Sequence, residues 1–573
     1  MQDADTLKLW LQRFKRSEDY VQPQRTRGQE NYKLYRGWKN QSEKLYKHDI
    51  FVPYTFAFLE DLSAYFMLSV MASPTLYALE PRWAGVSVDM CRALETIINW
   101  AVLEERTEFA LELEELLKNL NIFNASYLIN YPAMMEVETG ATNLDGTRVK
   151  RDAFDYLFLD APHPFLMFPE PGPKRLSRAN WIIKRAFETH DNLKRWESDG
   201  IYKGVSEIKP GEQTSETDPV EQLLSEIGIA GVSYNEGKIE LLDCFSEGDV
   251  VTIANRRVII RDTSKDVLRP YSFPLPVLDL RLAGAPGEFD GIGAIDAIKP
   301  LQRDINLLRS QRRENISLIL NKLFTYDMLA GEVDLTTLFS APGNVILQQG
   351  KCIDELVTTD VTASSYKEEQ SLIYDLQSVL SFWDYGRGAT PKRRETATGI
   401  IRLQQAAQAR NEWHLRKLDA YILQPLCKRI ITYIRESLPK EDAKAIVGEE
   451  YFESIEKFYD LDPNDLKRGI HIRPLTDSIS SVKEIDTNQF LQAFDRLIRI
   501  QGVNTTALIK VLLQKLGQRN IKEILTAVPT QAGQDATAQA LKGAMQGAGG
   551  DEAAAQIQGF LGGGEPQQPG GGL

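Results

Sequence analysis

The chain has 573 residues, 43% of them hydrophobic and 26% charged, with a formal net charge of −13 at pH 7. That length exceeds a single small core and suits roughly two to four domains, and the composition is that of an ordinary globular protein. The acidic balance argues against a protein that grips duplex DNA over a broad basic face, although it also serves solubility alone.

Met1-Gln2-Asp3-Ala4-Asp5 has neither a basic start nor an apolar run, so no secretory signal is expected. Leu7, Leu9, Trp10, Leu11 and Phe14 open an amphipathic segment, and residues 1–126 read as helical. The uncharged stretch Leu62–Leu79 contains Ser63, Ser69 and Ser73-Pro74-Thr75 and abuts Glu60 and Asp61. A spanning helix wants about 20 predominantly apolar residues, so a buried segment is expected here and no membrane association. From Val86 to Leu120, the residues Leu94, Ile97, Ile98, Ala101, Leu113 and Leu117 recur at helical spacing. Glu104, Glu105, Glu108, Glu112, Glu114 and Glu115 make its second half acidic, which reads as a solvated face or as one turned towards a neighbouring subunit. Cys91, Cys244, Cys352 and Cys427 lie far apart and read as reduced, mostly buried thiols, which suits synthesis in a cytosol.

Residues 127–287 turn β-rich. Strands are expected at Ala153–Leu159, Ile239–Phe245, Val250–Ala254 and Arg257–Arg261, in an antiparallel sheet with one covered face. Five prolines between Pro162 and Pro173 mark an irregular turn region, and Lys203–Asp218 reads as an exposed loop. A helix over 288–320 keeps Ile298, Leu301, Ile305, Leu308, Ile316 and Ile319 on one face. On it, Arg303 falls opposite the apolar stripe, Arg309 and Arg313 near its edge, and Arg312 within it, so Arg312 needs a partner. Short strands at Leu323–Tyr326 and Asn344–Leu347 follow in 321–361, then a helix over 362–383 with Leu372, Ile373, Leu376, Val379, Leu380 and Trp383 as its stripe. The loop 384–395 is basic and glycine-bearing: Gly386 and Gly388 allow a mobile backbone, and Arg387, Lys392, Arg393 and Arg394 can touch phosphates, beside Trp383 and Tyr385. The plainer reading is an exposed connection between two helices. Residues 396–475 read as a long helix, ending near Leu438-Pro439, and a return strand Gly469–Leu475. Pro425 either kinks that helix or splits it in two. Helices are expected over 476–528, and a disordered Gly/Gln-rich tail over 529–573.

Catalytic motifs are absent. There is no GxxxxGK[ST] loop, Gly-x-Ser-x-Gly elbow or His/Cys pair at metal-ligand spacing. Asp460, Asp462 and Asn464 begin like a calcium loop, but Asp465 stands at its glycine position. No enzyme activity, metal or cofactor is expected.

The order helix, β-bearing insert, helix, basic loop, long helix resembles the portal (head-to-tail connector) proteins of tailed bacteriophages. The stretches that carry the resemblance are Tyr35-Arg36-Gly37, Phe51-Val52-Pro53-Tyr54, Ala78-Leu79-Glu80-Pro81, Gly291-Ile292-Gly293, Pro300–Asn306, Arg313–Ile316, Pro342–Ile346 and Glu395–Ile400, within residues 1–528. The resemblance implies an α+β, predominantly helical subunit: a wing (1–287), a helical stem (288–320 and 362–383), a small β-containing clip (321–361), a tunnel loop (384–395) and a helical crown (476–528). It implies a ring of about twelve copies at one capsid vertex, with double-stranded DNA passing along its axis. The implied partners are the packaging terminase, a head-tail adaptor, and the major capsid and scaffolding proteins; the implied locations are the virion and, during assembly, the host cytoplasm. Trp383, Tyr385, Arg387, Lys392, Arg393 and Arg394 would then line the channel. Arg303, Arg309, Arg312 and Arg313 would bridge subunits, with Asp304 or Glu314 of an adjacent copy as candidate partners. A tail or baseplate adaptor is the rival reading.

Overall fold

The computed structural model describes residues 2–38, 49–73, 75–83, 85–142, 148–208, 219–227, 238–265, 273–282, 284, 289, 291–320, 323–326, 329, 353–356, 362–380, 409–448, 451–462 and 468–476. The chain divides into two compact units, Met1–Ile479 and Ser480–Leu573, and every described residue belongs to the first. That unit is mixed α+β with several antiparallel sheets. The segments expected at 384–395, at Asn344–Leu347, over 477–528 and over 529–573, and with them Cys352, lie outside the described residues.

Helix α1 runs from Gln2 to Tyr35. Its buried positions are Trp10, Phe14, Ser17, Val21, Arg25, Gly28 and Asn31, a row at spacings of three and four. Trp10, Phe14 and Val21 pack across a five-stranded sheet, with Ser17 between them, and beyond Val21 the row carries Arg25 and Asn31. That sheet has the order β4 (Met167–Pro169), β5 (Trp181–Thr189), β6 (Lys238–Ser246), β7 (Asp249–Ala254), β8 (Val258–Asp262), with every neighbour antiparallel. Trp10, Phe14 and Val21 meet Phe168, Trp181, Ile183, Leu242, Cys244, Val251 and Ile253 there. The polar part of the row stays buried because it is hydrogen-bonded. Ser17 Oγ donates to the Pro169 carbonyl at 2.7 Å and Arg25 to the Phe165 carbonyl at 2.5 Å.

A second antiparallel sheet has β2 (Ala125–Thr142) between β3 (Arg148–Asp160) and β9 (Val277–Arg281). Between β5 and β6 the chain also forms helices α5 (His190–Ser198) and α6 (Pro219–Glu226), which the sequence reading does not anticipate.

The N-terminal region is not uniformly helical. After α2 (Tyr54–Met71), Tyr77–Pro81 forms strand β1, which pairs antiparallel with β12 (Ile470–Pro474), Leu79 opposite Ile472. The stretch expected as one helix from Val86 to Leu120 is two, α3 (Val88–Leu103) and α4 (Phe109–Phe123), parted by a 3-10 turn at Glu105–Thr107. Glu108, at φ 49°, makes the corner, and Arg106 anchors the turn on Asp155 through two 2.7 Å hydrogen bonds. The interior of α2, with Phe58, Leu59, Leu62 and Phe66, belongs to the main core together with Leu94, Ile97, Leu116 and Ile430. No helix among the described residues is long and apolar enough to cross a membrane.

Helix α7 (Ala294–Leu320) leads into β10 (Leu323–Tyr326), which pairs antiparallel with β11 (Ile353–Leu356); α8 (Thr362–Leu380) follows and packs on α7. Helical residues 409–418 then pass into a π-turn at Asp419–Leu423 and directly into α9 (Gln424–Ser437). The helix therefore continues through Pro425 rather than breaking. A proline lacks the N–H for an i−4 bond and clashes with that carbonyl, and a wider π-turn immediately before it accommodates both. Two short helices, α10 (Lys440–Val447) and α11 (Phe452–Asp460), come before β12 where the sequence suggests only a connection.

Candidate functional site

The arginines singled out on the first stem helix fall into two groups. Arg309 and Arg312, one turn apart on α7, both grip Glu369 of α8. Arg309 Nε donates to Glu369 Oε1 at 2.5 Å and Arg312 Nη2 to Oε2 at 2.5 Å. Glu369 is 5% exposed. Burial alone would push its carboxyl up, but the hydrogen bonds and charges of Arg312 and Arg309 outweigh this and hold it below the ordinary carboxylate range. Two aromatic rings complete the node: the Arg312 guanidinium lies 4.0 Å from the Tyr366 ring centroid, and Arg309 Nη2 donates to the Tyr54 hydroxyl at 3.3 Å. The counter-charge that Arg312 requires thus comes from the same chain. Glu369 supplies it, where the sequence points to Asp304 or Glu314 of an adjacent copy.

Arg303 and Arg313 differ from this pair. Arg303 is exposed opposite the apolar stripe, with Glu30 at 3.6 Å, and Arg313 is exposed as well. Lys299, one turn before Arg303, holds the same Glu30 at 3.0 Å.

Along α7 a second row, Gln302, Asn306 and Ser310, is almost completely buried. The spacing is i, i+4, i+8, which places all three on one face beside the apolar stripe. They hold the extended segment that enters α2. Ile50 N donates to Ser310 Oγ at 2.9 Å, Val52 N to Asn306 Oδ1 at 3.0 Å and Thr55 N to Gln302 Oε1 at 3.2 Å, while Gln302 Nε2 returns a bond to the Val52 carbonyl at 2.8 Å. Phe51–Tyr54 and Pro300–Asn306, two stretches that carry the resemblance, are thereby brought into contact. Four backbone groups at this entry to α2 (the N–H groups of Ile50, Val52 and Thr55 and the Val52 carbonyl) thus find side-chain partners on the helix.

The N-terminus of α7 is fixed by Asp296. Asn31 of α1 donates to its Oδ1 at 3.0 Å, while Asn124 Nδ2 and Gly293 N donate to its Oδ2 at 2.5 and 3.2 Å. A carboxylate in the first turn also opposes the positive end of the helix dipole. Gly293 is required by close approach: a Cβ there would stand 1.4 Å from Asn124 Oδ1.

The long helix returns to this region. Arg410 donates to the Val379 carbonyl of α8, and Lys417 Nζ to the Leu282 carbonyl at 2.7 Å. In the π-turn, Asp419 Oδ2 accepts from Thr476 Oγ1 at 2.8 Å. Burial pushes the Asp419 carboxyl up to about 6, against the Thr476 hydrogen bond and the charge of Arg416.

Trp383, Tyr385, Arg387, Lys392, Arg393 and Arg394 lie outside the described residues. Among the described residues, no group of three or more His, Cys, Asp or Glu side chains is placed to hold a metal ion. Cys91, Cys244 and Cys427 are buried free thiols. The described residues thus form two helices locked in register by a charge node, one of them tied to the N-terminal segment by a polar row. No protein-family model matches the chain, and no curated protein matches it either.

Proposed function

We propose that the chain is the subunit of a bacteriophage portal, a ring that conducts double-stranded DNA through one capsid vertex during packaging, head-tail joining and ejection. The observation that carries this reading is the sequence of elements from α7 to α8. Two helices pack on one another, joined at one end by an antiparallel strand pair, β10–β11, and set on an α+β body. A stem and a clip have this form. The Arg309–Glu369–Arg312 node supports it, because a conduit wall must resist sliding of one helix along the other, and a charge triad loses its hydrogen bonds on any shift of register. Arg303, which lies 3.6 Å from Glu30, and Arg313 are exposed on α7 and would be open to a neighbouring copy. Terminase and a head-tail adaptor would meet the β10–β11 end, and the loop 384–395 would lie near the DNA.

Gold-labelled antibody against this chain, applied to virus particles, tests the reading. One labelled vertex per particle is the expected result. Label on the tail tip or along the tail would favour the rival tail or baseplate adaptor, and label over the whole shell would contradict both.

A further inference from the structure

Two exposed faces of the chain carry opposite charge around uncovered apolar side chains. The first is on helical residues 409–418 and the π-turn. Trp413 is 58% exposed and Tyr421 42%, Arg416 is exposed between them in sequence, and Arg175 reaches over the Tyr421 ring at 5.7 Å. The second is the outer face of α4 and the corner before it, where Leu111 and Glu115 are exposed four residues apart on the helix and Glu108 is exposed at the corner, with Leu111 59% open. The spacing of four puts Leu111 and Glu115 on one face of the helix. The basic residues of that neighbourhood are already engaged, Arg106 with Asp155 and Lys118 with Glu114. The Glu115 carboxyl is pushed up by burial and then by the like charges of Asp160 and Glu114, so this face gains from a cation brought to it.

We propose that these faces are the two sides of one contact between copies of this chain. Trp413 and Tyr421 of one copy cover Leu111 of the next, and Arg416 and Arg175 meet Glu108 and Glu115. The inference rests on the ring reading above and deepens it. The two faces are unlike, so the contact is heterologous, and a heterologous contact whose rotation closes gives a ring. The occupant is a second copy because the chain itself carries the complement: an aromatic face with cations, and a leucine face with carboxylates whose neighbouring cations Arg106 and Lys118, among the described residues, are already paired. Opposed charge of this kind fixes the register of an interface and its choice of partner.

Native mass spectrometry of the full chain tests this on the wild type, Arg416→Glu, Glu108→Lys and the variant carrying both, with circular dichroism reporting the fold of each. All substituted positions are exposed. The assembled fraction is expected to fall roughly tenfold in each single reversal and to recover to within about twofold of wild type when both are combined, because each interface then again pairs opposite charges. A wild type that assembles while the reversals assemble equally well overturns this inference and leaves the ring reading standing. Loss in the single variants without recovery in the combined one overturns the pairing. A wild type that stays monomeric overturns the ring reading and this inference with it. If Arg416→Glu instead lowers duplex DNA binding and leaves the assembled mass unchanged, the basic face serves nucleic acid and the proposal is wrong.

Discussion

Where α1 crosses the five-stranded sheet, the contact is made by rings and aliphatic side chains, with Phe14 and Phe168 at 4.5 Å between centroids. Where α8 packs on α7, the contact includes a carboxylate between two guanidiniums. Apolar burial is non-directional and tolerates small shifts. A node whose carboxylate is 5% exposed holds only at one register, because displacing that carboxylate would leave two cations without a partner. The first region is built to be stable, and the second to stay in one place. The same contrast recurs inside α1, where the row that begins with Trp10 and Phe14 ends with Arg25 and Asn31, each positioned by hydrogen bonds.

Substitutions should break the two regions differently. Phe168→Ala removes a fully buried ring from the α1–sheet layer and is expected to cost about 4 kcal/mol, read as lost hydrogen-exchange protection across β4 to β7. Glu369→Ala strands Arg309 and Arg312 and should cost about 3 kcal/mol, confined to amides of Thr362–Leu380 and the facing turns of α7. If that exchange were unchanged, α7 and α8 would be held by apolar packing like the sheet layer, and the contrast would fail. Gly293→Ala presses on Asn124 and breaks the Asp296 cluster, for about 2 kcal/mol, visible as a lower melting temperature. The smallest effect is at Asp419. Its carboxyl stands at about 6 in the folded chain against an ordinary value of 3.8, so the folded state holds the proton more tightly. The associated stabilisation is fully present below pH 3.8 and is lost as pH rises through about 6. Thermal melts of wild type and Asp419→Asn between these values should therefore differ in slope, the wild type losing stability relative to the variant as pH increases.

Much of the body could be read from the residues alone. Ile239–Phe245 and Val250–Ala254 lie within strands β6 and β7, because β-branched residues and turn signals bracket them locally. Strand β1 could not be read this way. Tyr77–Pro81 is five residues long, and its partner Ile470–Pro474 lies at the far end of the unit, so no local pattern announces the pairing. The corner between α3 and α4 is also hidden, since Glu108 takes a left-handed conformation with no glycine or proline to mark it.

Within the candidate site, Arg312, a cation inside an apolar stripe, signals a buried counter-charge. Glu369 gave none of its own, because in Lys367-Glu368-Glu369-Gln370 it looks like any solvated position until α8 is laid on α7. The polar row Gln302, Asn306, Ser310 did carry a readable signal in its fourfold spacing beside the apolar stripe. What it holds, the segment entering α2 some 250 residues earlier, depends on tertiary packing.

The central claim is that this chain closes into a hollow ring. Electron microscopy of the purified protein, with its native mass measured on the same preparation, addresses it most directly. A ring around an open channel is the predicted result, as head-to-tail contacts that close require, with roughly twelve subunits if the portal reading holds. A homogeneous compact dimer, with the faces of α4 and of residues 409–418 both open to solvent, would contradict it.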